Sequence, residues 1–380
     1  MTQDTEVPAN WKPDWPAIAD HIVNRTLQIQ RGERVIYMID AWLYADLLDC
    51  VRAAVLNVGG IEQATILTWT KRLRELRTPR GTSPDPELVQ LEQRAHLDLF
   101  QTADVFMWLP NDFTVRGTYT GWETEWILDR WRGRGIHCHW FPDPLAPAGD
   151  GVHRKLEYIY QRAILELDYA ALKKRQQQLL AAIRGRTLRV TTPEGTDITF
   201  SLPADGWYHC NDGELSRERA LRAVCARDRE EEVPCGAVRT VPAPDSANGV
   251  IALRKTVAWN GFPFDVNEYV PLDIVFKDGR ITELKSSKDN AKLNQIYTSL
   301  TGDKDRLGEI VIGTNPLLET PRGASMPTYW GFGDGAFRFH LGDNIESAGK
   351  YRSNLWINLF LSDVTVTCGS DILVKDGKLT

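Results

Sequence analysis

Gly335-Ala-Phe-Arg-Phe-His-Leu-Gly-Asp-Asn344 runs directly into Ile345-Glu-Ser-Ala-Gly-Lys-Tyr-Arg-Ser-Asn-Leu-Trp-Ile-Asn358. Arg338 and His340 stand two apart, so on a strand their side chains share one face. The Gly342-Asp343-Asn344 turn is expected for backbone reasons, with both polar residues structural. Just upstream, Gly308-Glu-Ile-Val-Ile-Gly313 places Glu309 in an apolar strand, where a carboxylate needs a partner. Arg338 is the candidate for that partner, and His340 is the group suited to carry a proton near neutral pH.

Outward from this block the second half of the chain reads as β structure. Thr187–Thr192, Asp197–Leu202, Gly249–Leu253, Leu272–Phe276 and Leu359–Leu361 are short β segments between Gly, Pro and Asp turns. Lys277-Asp-Gly279 and Lys375-Asp-Gly377 carry the Asp-Gly signal of a two-residue hairpin.

The first half alternates strand and helix. Arg34–Asp40, Gln63–Trp69, Ala103–Leu109 and Gly135–Phe141 are apolar runs of strand type. Ala41–Val58, Glu87–Thr102 and Gly121–Arg132 carry helical spacing, and Tyr158–Arg184 reads as one long helix ending at Gly185. The expected architecture is an open, mostly parallel α/β domain over residues 1–185. A β-rich α+β domain carrying the pocket follows over 186–380. Asp40, at the end of the first strand, sits where open sheets bind ligands.

A chain of 380 residues is long enough for two cores. Its net charge of −6 gives no broad footprint for nucleic acid or anionic lipid, and the Arg-rich patches at 71–80 and 130–134 read as solvated helix faces. The acidic N-terminus has no signal-peptide pattern, and no apolar run reaches membrane-spanning length. Cys50, Cys138, Cys210, Cys225, Cys235 and Cys368 are scattered without a CxxC pair, which points to reduced thiols in a cytoplasmic protein. His137 and His139 share one strand face and are expected in the core or between domains. His209 and Cys210 point to opposite faces, which argues against a nucleophile dyad.

Five phrases in order carry a resemblance. They are Val190–Asp197, Val233-Pro-Cys-Gly-Ala-Val238 with Pro244–Gly249, Phe276–Ile281, Gly308–Pro316, and the Gly335–Asn358 block; Gln30–Ile36 fits the start. Together they resemble the aminopeptidase T family of dimetal peptidases, whose superfamily includes the iron-dependent 2,5-dihydroxypyridine 5,6-dioxygenases. That resemblance implies the two-domain fold and a homodimer. In the peptidases Pro-x-Gly-Glu supplies a metal ligand, and here Ala237 stands in its place. Glu309 matches a second ligand. Arg338 stands where a His is expected, and Trp356-Ile-Asn358 replaces a His-x-Asp pair.

A catalytic divalent metal needs about three protein ligands, so no metal and no cofactor are expected at these positions. Three functions of different class follow. The favoured one is a metal-independent enzyme of hydrolase or lyase type on a small polar substrate bearing a carboxylate or amide. Glu309 and His340 would transfer protons and Arg338 would hold the anionic group. Trp356, Asn358, Lys350, Tyr351, Arg352 and Ala237 would line the pocket. The alternative is a non-catalytic protein binding a small molecule or peptide. A third possibility is a metallo-hydrolase or dioxygenase with a relocated metal site built from Glu309, His340, Asp343 and His209. No nucleic-acid or membrane partner is expected.

Overall fold

At the centre of the parallel sheet lie two strands that are apolar on both faces. The computed structural model describes residues 6–39, 45–67, 91, 94, 98–109, 131–138, 140, 152–255, 258–262, 264–320, 328–361 and 363–380. Strands β1 (Arg34–Ile39), β2 (Ile61–Leu67), β3 (Val105–Leu109) and β4 (Arg134–Cys138) lie in the order β2-β1-β3-β4. All pair in parallel, with α2 (Ala45–Asn57) crossing between β1 and β2. Helix α1 (Trp15–Asp20) starts at Asp14, whose carboxylate accepts from Ala17 N, and continues through a π-helical turn over His21–Thr26. The expected helices over 87–102 and 121–132 fall largely outside the described residues, as do the first four residues of the helix expected over 41–58.

Tyr158–Arg184 is two helices rather than one: α3 (Val152–Leu165) and α4 (Tyr169–Ile183). Asp168 is the reason for the break. It leaves helical geometry (φ −77, ψ 94) and its side chain accepts from Ala171 N, capping α4 afresh. The Arg-rich patch needs a second correction. Arg134 is a buried cation, not a solvated one: its Nη2 meets Glu33 Oε2 at 2.7 Å and its Nε donates to Leu27 O at 2.9 Å. Gly32-Glu33 of the opening phrase thus places the counter-charge that lets β4 begin inside the protein.

After residue 186 the chain builds two antiparallel sheets. One has the order β13-β12-β10-β6-β5-β17-β18-β19 and the other β11-β16-β15-β14-β9-β7. The first contains β5 (Thr187–Thr191), β6 (Asp197–Ser201), β10 (Asn248–Leu253), β12 (Leu272–Lys277), β13 (Arg280–Ser286), β17 (Thr365–Cys368), β18 (Asp371–Lys375) and β19 (Lys378–Leu379). The second contains β7 (Tyr208–Asn211), β9 (Ala237–Thr240), β11 (Ala258–Phe262), β14 (Leu307–Gly313), β15 (Phe337–Gly342) and β16 (Trp356–Leu361). Both Asp-Gly turns are two-residue hairpins with left-handed geometry at each central residue: Asp278 φ 50 and Gly279 φ 76, Asp376 φ 50 and Gly377 φ 75. One strand crosses back. β8 (Glu230–Val233) adds to the parallel sheet beside β4, so the two halves share a backbone ladder.

Period-two alternation makes the second antiparallel sheet a wall with two different faces. Ile310, Ile312, Phe337, Phe339 and Leu341 pack with the larger antiparallel sheet in one core. Ala237, Val311 and Phe360 turn the other way and join the core of the parallel sheet through Tyr329 and Phe332. Each fully buried Phe contributes about 1.5–3 kcal/mol of transfer free energy. The polar residues of β14, β15 and β16 therefore look into the junction between the parallel sheet and this wall. Gly342, at φ +90, is needed there because a Cβ would come within 2.1 Å of Leu355 O. Among the described residues no helix is long and apolar enough to cross a membrane.

Candidate functional site

Register brings the candidate residues together. Glu309 on β14 pairs with His340 on β15, and His340 pairs with Asn358 on β16. One step along the strands, Val311 lies between Arg239 on β9 and Arg338 on β15. Glu309 thus has a guanidinium on either side of it, on the face turned toward the parallel sheet.

The Glu309 carboxylate is saturated. Arg239 donates twice, Nε to Oε1 at 2.7 Å and Nη2 to Oε2 at 3.0 Å. Arg338 Nη2 lies 3.4 Å from Oε2, and Ser347 Oγ donates to Oε1 at 3.2 Å. Four donors fill the roughly four lone-pair sites that a carboxylate has. Burial alone would raise this acid, but Arg239 and then Arg338 outweigh it and hold Glu309 well below the usual carboxylate range. Burial and the like charge of Arg239 pull Arg338 down to about 9, opposed by Glu309, so it remains a cation near neutral pH.

His340 is equally committed. Its Nε2 donates to Asp343 O at 2.5 Å, and Nδ1 stands 3.1 Å from the Asn358 side-chain amide. Burial lowers its basicity, partly opposed by Glu309, so the neutral ring is favoured. The Trp356 ring covers it edge-on with centroids 5.1 Å apart. Asp343 accepts from Ile345 N and Ser353 N, and Asn344 ties Gly308 O to Tyr351 N, so both serve the turn.

The other positions separate. Ala237 is buried in β9 opposite Gly313 and Asn211. Tyr351 is half-buried with Arg306 over its ring, while Lys350 and Arg352 are exposed. His209 lies on edge strand β7, where its Nδ1 meets Asp228 at 3.1 Å and Nε2 accepts from Asn211 at 3.3 Å. Asp40 and His139 lie outside the described residues.

Sequence reading missed the second half of this site. At the carboxyl ends of the parallel strands, Trp108, His137 and Glu232 stand side by side in register on β3, β4 and β8. His137 pairs with Glu230 through Nε2, and its Nδ1 is 3.7 Å from Glu232. Arg227 bridges Glu230 (2.5 Å) to Glu346 (2.6 Å) on the opposite wall. Burial pushes His137 down, but Glu230 and Glu232 overcome it and raise the imidazole to about 9. Arg239, Arg338, Arg227 and His137 therefore face Glu309, Glu230, Glu232 and Glu346, four cations against four anions. The junction neutralises itself.

A strained turn closes the network. Tyr329, Trp330 and Gly331 are consecutively left-handed at φ 41, 53 and 72, unusual for two aromatic residues. Tyr329 O–H donates to Glu232 Oε2 at 3.0 Å, and Arg338 Nη1 donates to Trp330 O at 3.4 Å. The only sequence signal for these partners was Arg239, which follows Ala237 at strand spacing and so shares its face.

The donor set does not fit a divalent metal. Glu309 has no free lone pair, Arg338 repels a cation, and Ala237, Trp356 and Asn358 supply no anionic or imidazole ligand. Among the described residues no group of three or more His, Cys, Asp or Glu is disposed to hold a metal ion. The relocated set is not assembled either, since His209 is turned to Asp228. All six cysteines are free thiols, and only Cys50 is not buried.

An open cleft of about 420 Å³ lies elsewhere, between α4 and the segment from Tyr208 to Asp228. Lys173, Arg219, Arg222, Asp212, Glu214 and Ser216 line it.

No protein-family model and no curated protein matches this chain. Solved structures do. The structure of 2,5-dihydroxypyridine dioxygenase from Pseudomonas putida KT2440 matches with a TM-score of 0.65 at 14% identity, over 96% of each chain. Wild-type AmpT from Thermus thermophilus matches with a TM-score of 0.61 at 14% identity, over 96% of this chain and 98% of that one. The resemblance read from the motifs is thus a relationship of fold across nearly the whole chain.

Proposed function

We propose that this chain is a ligand-binding protein on an aminopeptidase T-like fold, its former catalytic position converted into an ion network that joins the two sheets. The observation that carries this reading is the Glu309 carboxylate, with all four of its acceptor positions taken by Arg239, Arg338 and Ser347. A general acid or base must reach a proton on the substrate. Glu309 spends its acceptors inside the protein, and His340 commits its Nε2–H to Asp343 O.

The ligand is a small polar molecule bearing a carboxylate or amide. The cleft beside α4 is the candidate place for it, since Arg222 offers a cation and Ser216 a hydroxyl, while Lys173 stands 3.8 Å from Asp212 and 3.6 Å from Glu214. The protein acts in the cytoplasm as a homodimer on this reading.

One observation favours the enzymatic alternative. Left-handed Tyr329 and Trp330 store strain beside Glu232 and Arg338, and such strain gathers at active sites. In that reading Glu309 and His340 move protons and Arg338 holds the substrate's anionic group.

One experiment separates the two. Wild-type protein and a Glu309→Gln/His340→Ala variant are incubated with pooled small carboxylates, amides and dipeptides. Binding is followed by thermal shift and conversion by mass spectrometry. Binding without conversion supports the proposal. Conversion by wild type that is lost in a folded variant establishes the enzyme.

A further inference from the structure

The cleft beside α4 continues past Lys173 into a second cavity, of about 440 Å³. This one lies between the π-helical turn that follows α1 and the first turn of α4, lined by Asn24, Arg25, Gln28 and Tyr169. It shares Lys173, Asp212 and Glu214 with the cleft. Three common residues make the two cavities halves of one groove. Lys173 stands where they meet, with Arg222 in one half and Arg25 in the other.

Charge is spent unevenly along this groove. Asp212 is bound by Arg219, whose guanidinium also donates to Glu214 O and Cys210 O. Asp228 accepts from Trp207 Nε1 at 3.0 Å, His209 Nδ1 at 3.1 Å and Val224 N at 3.0 Å. The Glu214 carboxylate has the Lys173 ammonium 3.6 Å away. Each carboxylate of the groove is thus matched, and two guanidiniums are left over. Among the described residues, no carboxylate pairs with Arg222 or with Arg25.

Arg25 is nonetheless held in place. Its guanidinium stacks on the Tyr169 ring, 3.9 Å from the centroid, and the Tyr169 hydroxyl is fixed between Ile164 O (2.8 Å) and His21 Nε2 (2.9 Å). Stacking occupies the face of a guanidinium and leaves its N–H edge for a planar oxyanion.

We propose that the groove binds an elongated molecule with a carboxylate at each end, one seated on Arg222 and the other on Arg25. The inference rests on the reading of the cleft as a site for a carboxylate ligand and adds the second anionic group. Between the two arginines, Lys173 and Glu214 supply a donor and an acceptor, which suits an amide in the middle of the ligand. A monocarboxylate fills one half and leaves the other guanidinium without its counter-charge.

The test is isothermal titration calorimetry at about 0.15 M salt, which screens loose surface attraction. It compares α,ω-dicarboxylates from succinate to dodecanedioate, and chains of the same lengths with a central amide, against their half methyl esters. Wild type, Arg25→Gln and Arg222→Gln are titrated; both arginines are exposed, so the variants are expected to melt with wild type. Expected is a diacid of one preferred length that binds about tenfold tighter than its half ester, with that tenfold lost in either variant. Half esters that bind as tightly as the diacids at every length would overturn the elongated site and leave the one-carboxylate reading of the cleft standing. An undiminished diacid preference in Arg25→Gln would do the same. No binding of either series would overturn the reading of the cleft itself.

Discussion

Arg239 grips Glu309 across neighbouring strands with both arms of its guanidinium, at 2.7 and 3.0 Å, and each side chain is less than 5% exposed. Arg338 on the other flank makes a buried Arg–Glu–Arg arrangement whose charge is balanced only together with the carboxylates from β8 and Glu346. Removing one member leaves others uncompensated in a dry place, whereas removing all of them removes the desolvation penalty as well.

Glu309→Gln is therefore expected to destabilise by about 3–5 kcal/mol in urea denaturation, because Arg239 and Arg338 are left buried and mutually repelling. Replacing Arg239, Glu309 and Arg338 together by Met, Leu and Leu is expected to recover most of that loss. A Glu309→Gln variant within about 0.5 kcal/mol of wild type would remove the structural role assigned to the network.

His137 makes stability depend on pH. Its folded pKa, raised to about 9 from 6.5, means that the folded state binds the proton more tightly than the unfolded state. The associated stability is complete below pH about 6.5 and is lost as pH rises through about 9. Denaturation at pH 6, 7.5 and 9 should show the difference between wild type and His137→Gln shrinking as pH rises. A constant difference would contradict the ion pairs with Glu230 and Glu232.

Ala348 is an exposed residue at φ 56, following the short 3₁₀ turn that ends at Ser347. Ala348→Gly is expected to stabilise by about 0.5–1 kcal/mol, since the left-handed penalty exceeds the extra chain entropy of glycine. Destabilisation in the same urea assay would show that the Ala348 methyl makes a contact of greater worth.

The fold was legible where short-range chemistry decides it. Strand–helix alternation before residue 185 gave the parallel strands, and both Asp-Gly pairs gave hairpins of the expected two-residue type. Arg338 and His340 do share a face, and Arg338 does contact Glu309, because strand period and charge pairing are local rules. What could not be read is long-range. Arg239 lies 70 residues before Glu309, and Glu230 and Glu232 belong to a strand that leaves its own half to join the other sheet. No periodicity announces that crossover. Asp168 was overlooked as a helix start because the apolar spacing continues across it. Arg134 was read as solvated because its counter-charge, Glu33, is 101 residues away.

Metal content tests the central claim most directly. Protein is incubated with Zn²⁺, Mn²⁺ or Fe²⁺, dialysed and measured by inductively coupled plasma mass spectrometry, alongside Glu309→Gln. With every lone pair of Glu309 occupied and a guanidinium at the neighbouring position, less than about a tenth of an equivalent is predicted in each condition. Near-stoichiometric metal in wild type that is lost in Glu309→Gln would contradict it, and would return this position to the chemistry of a metal centre.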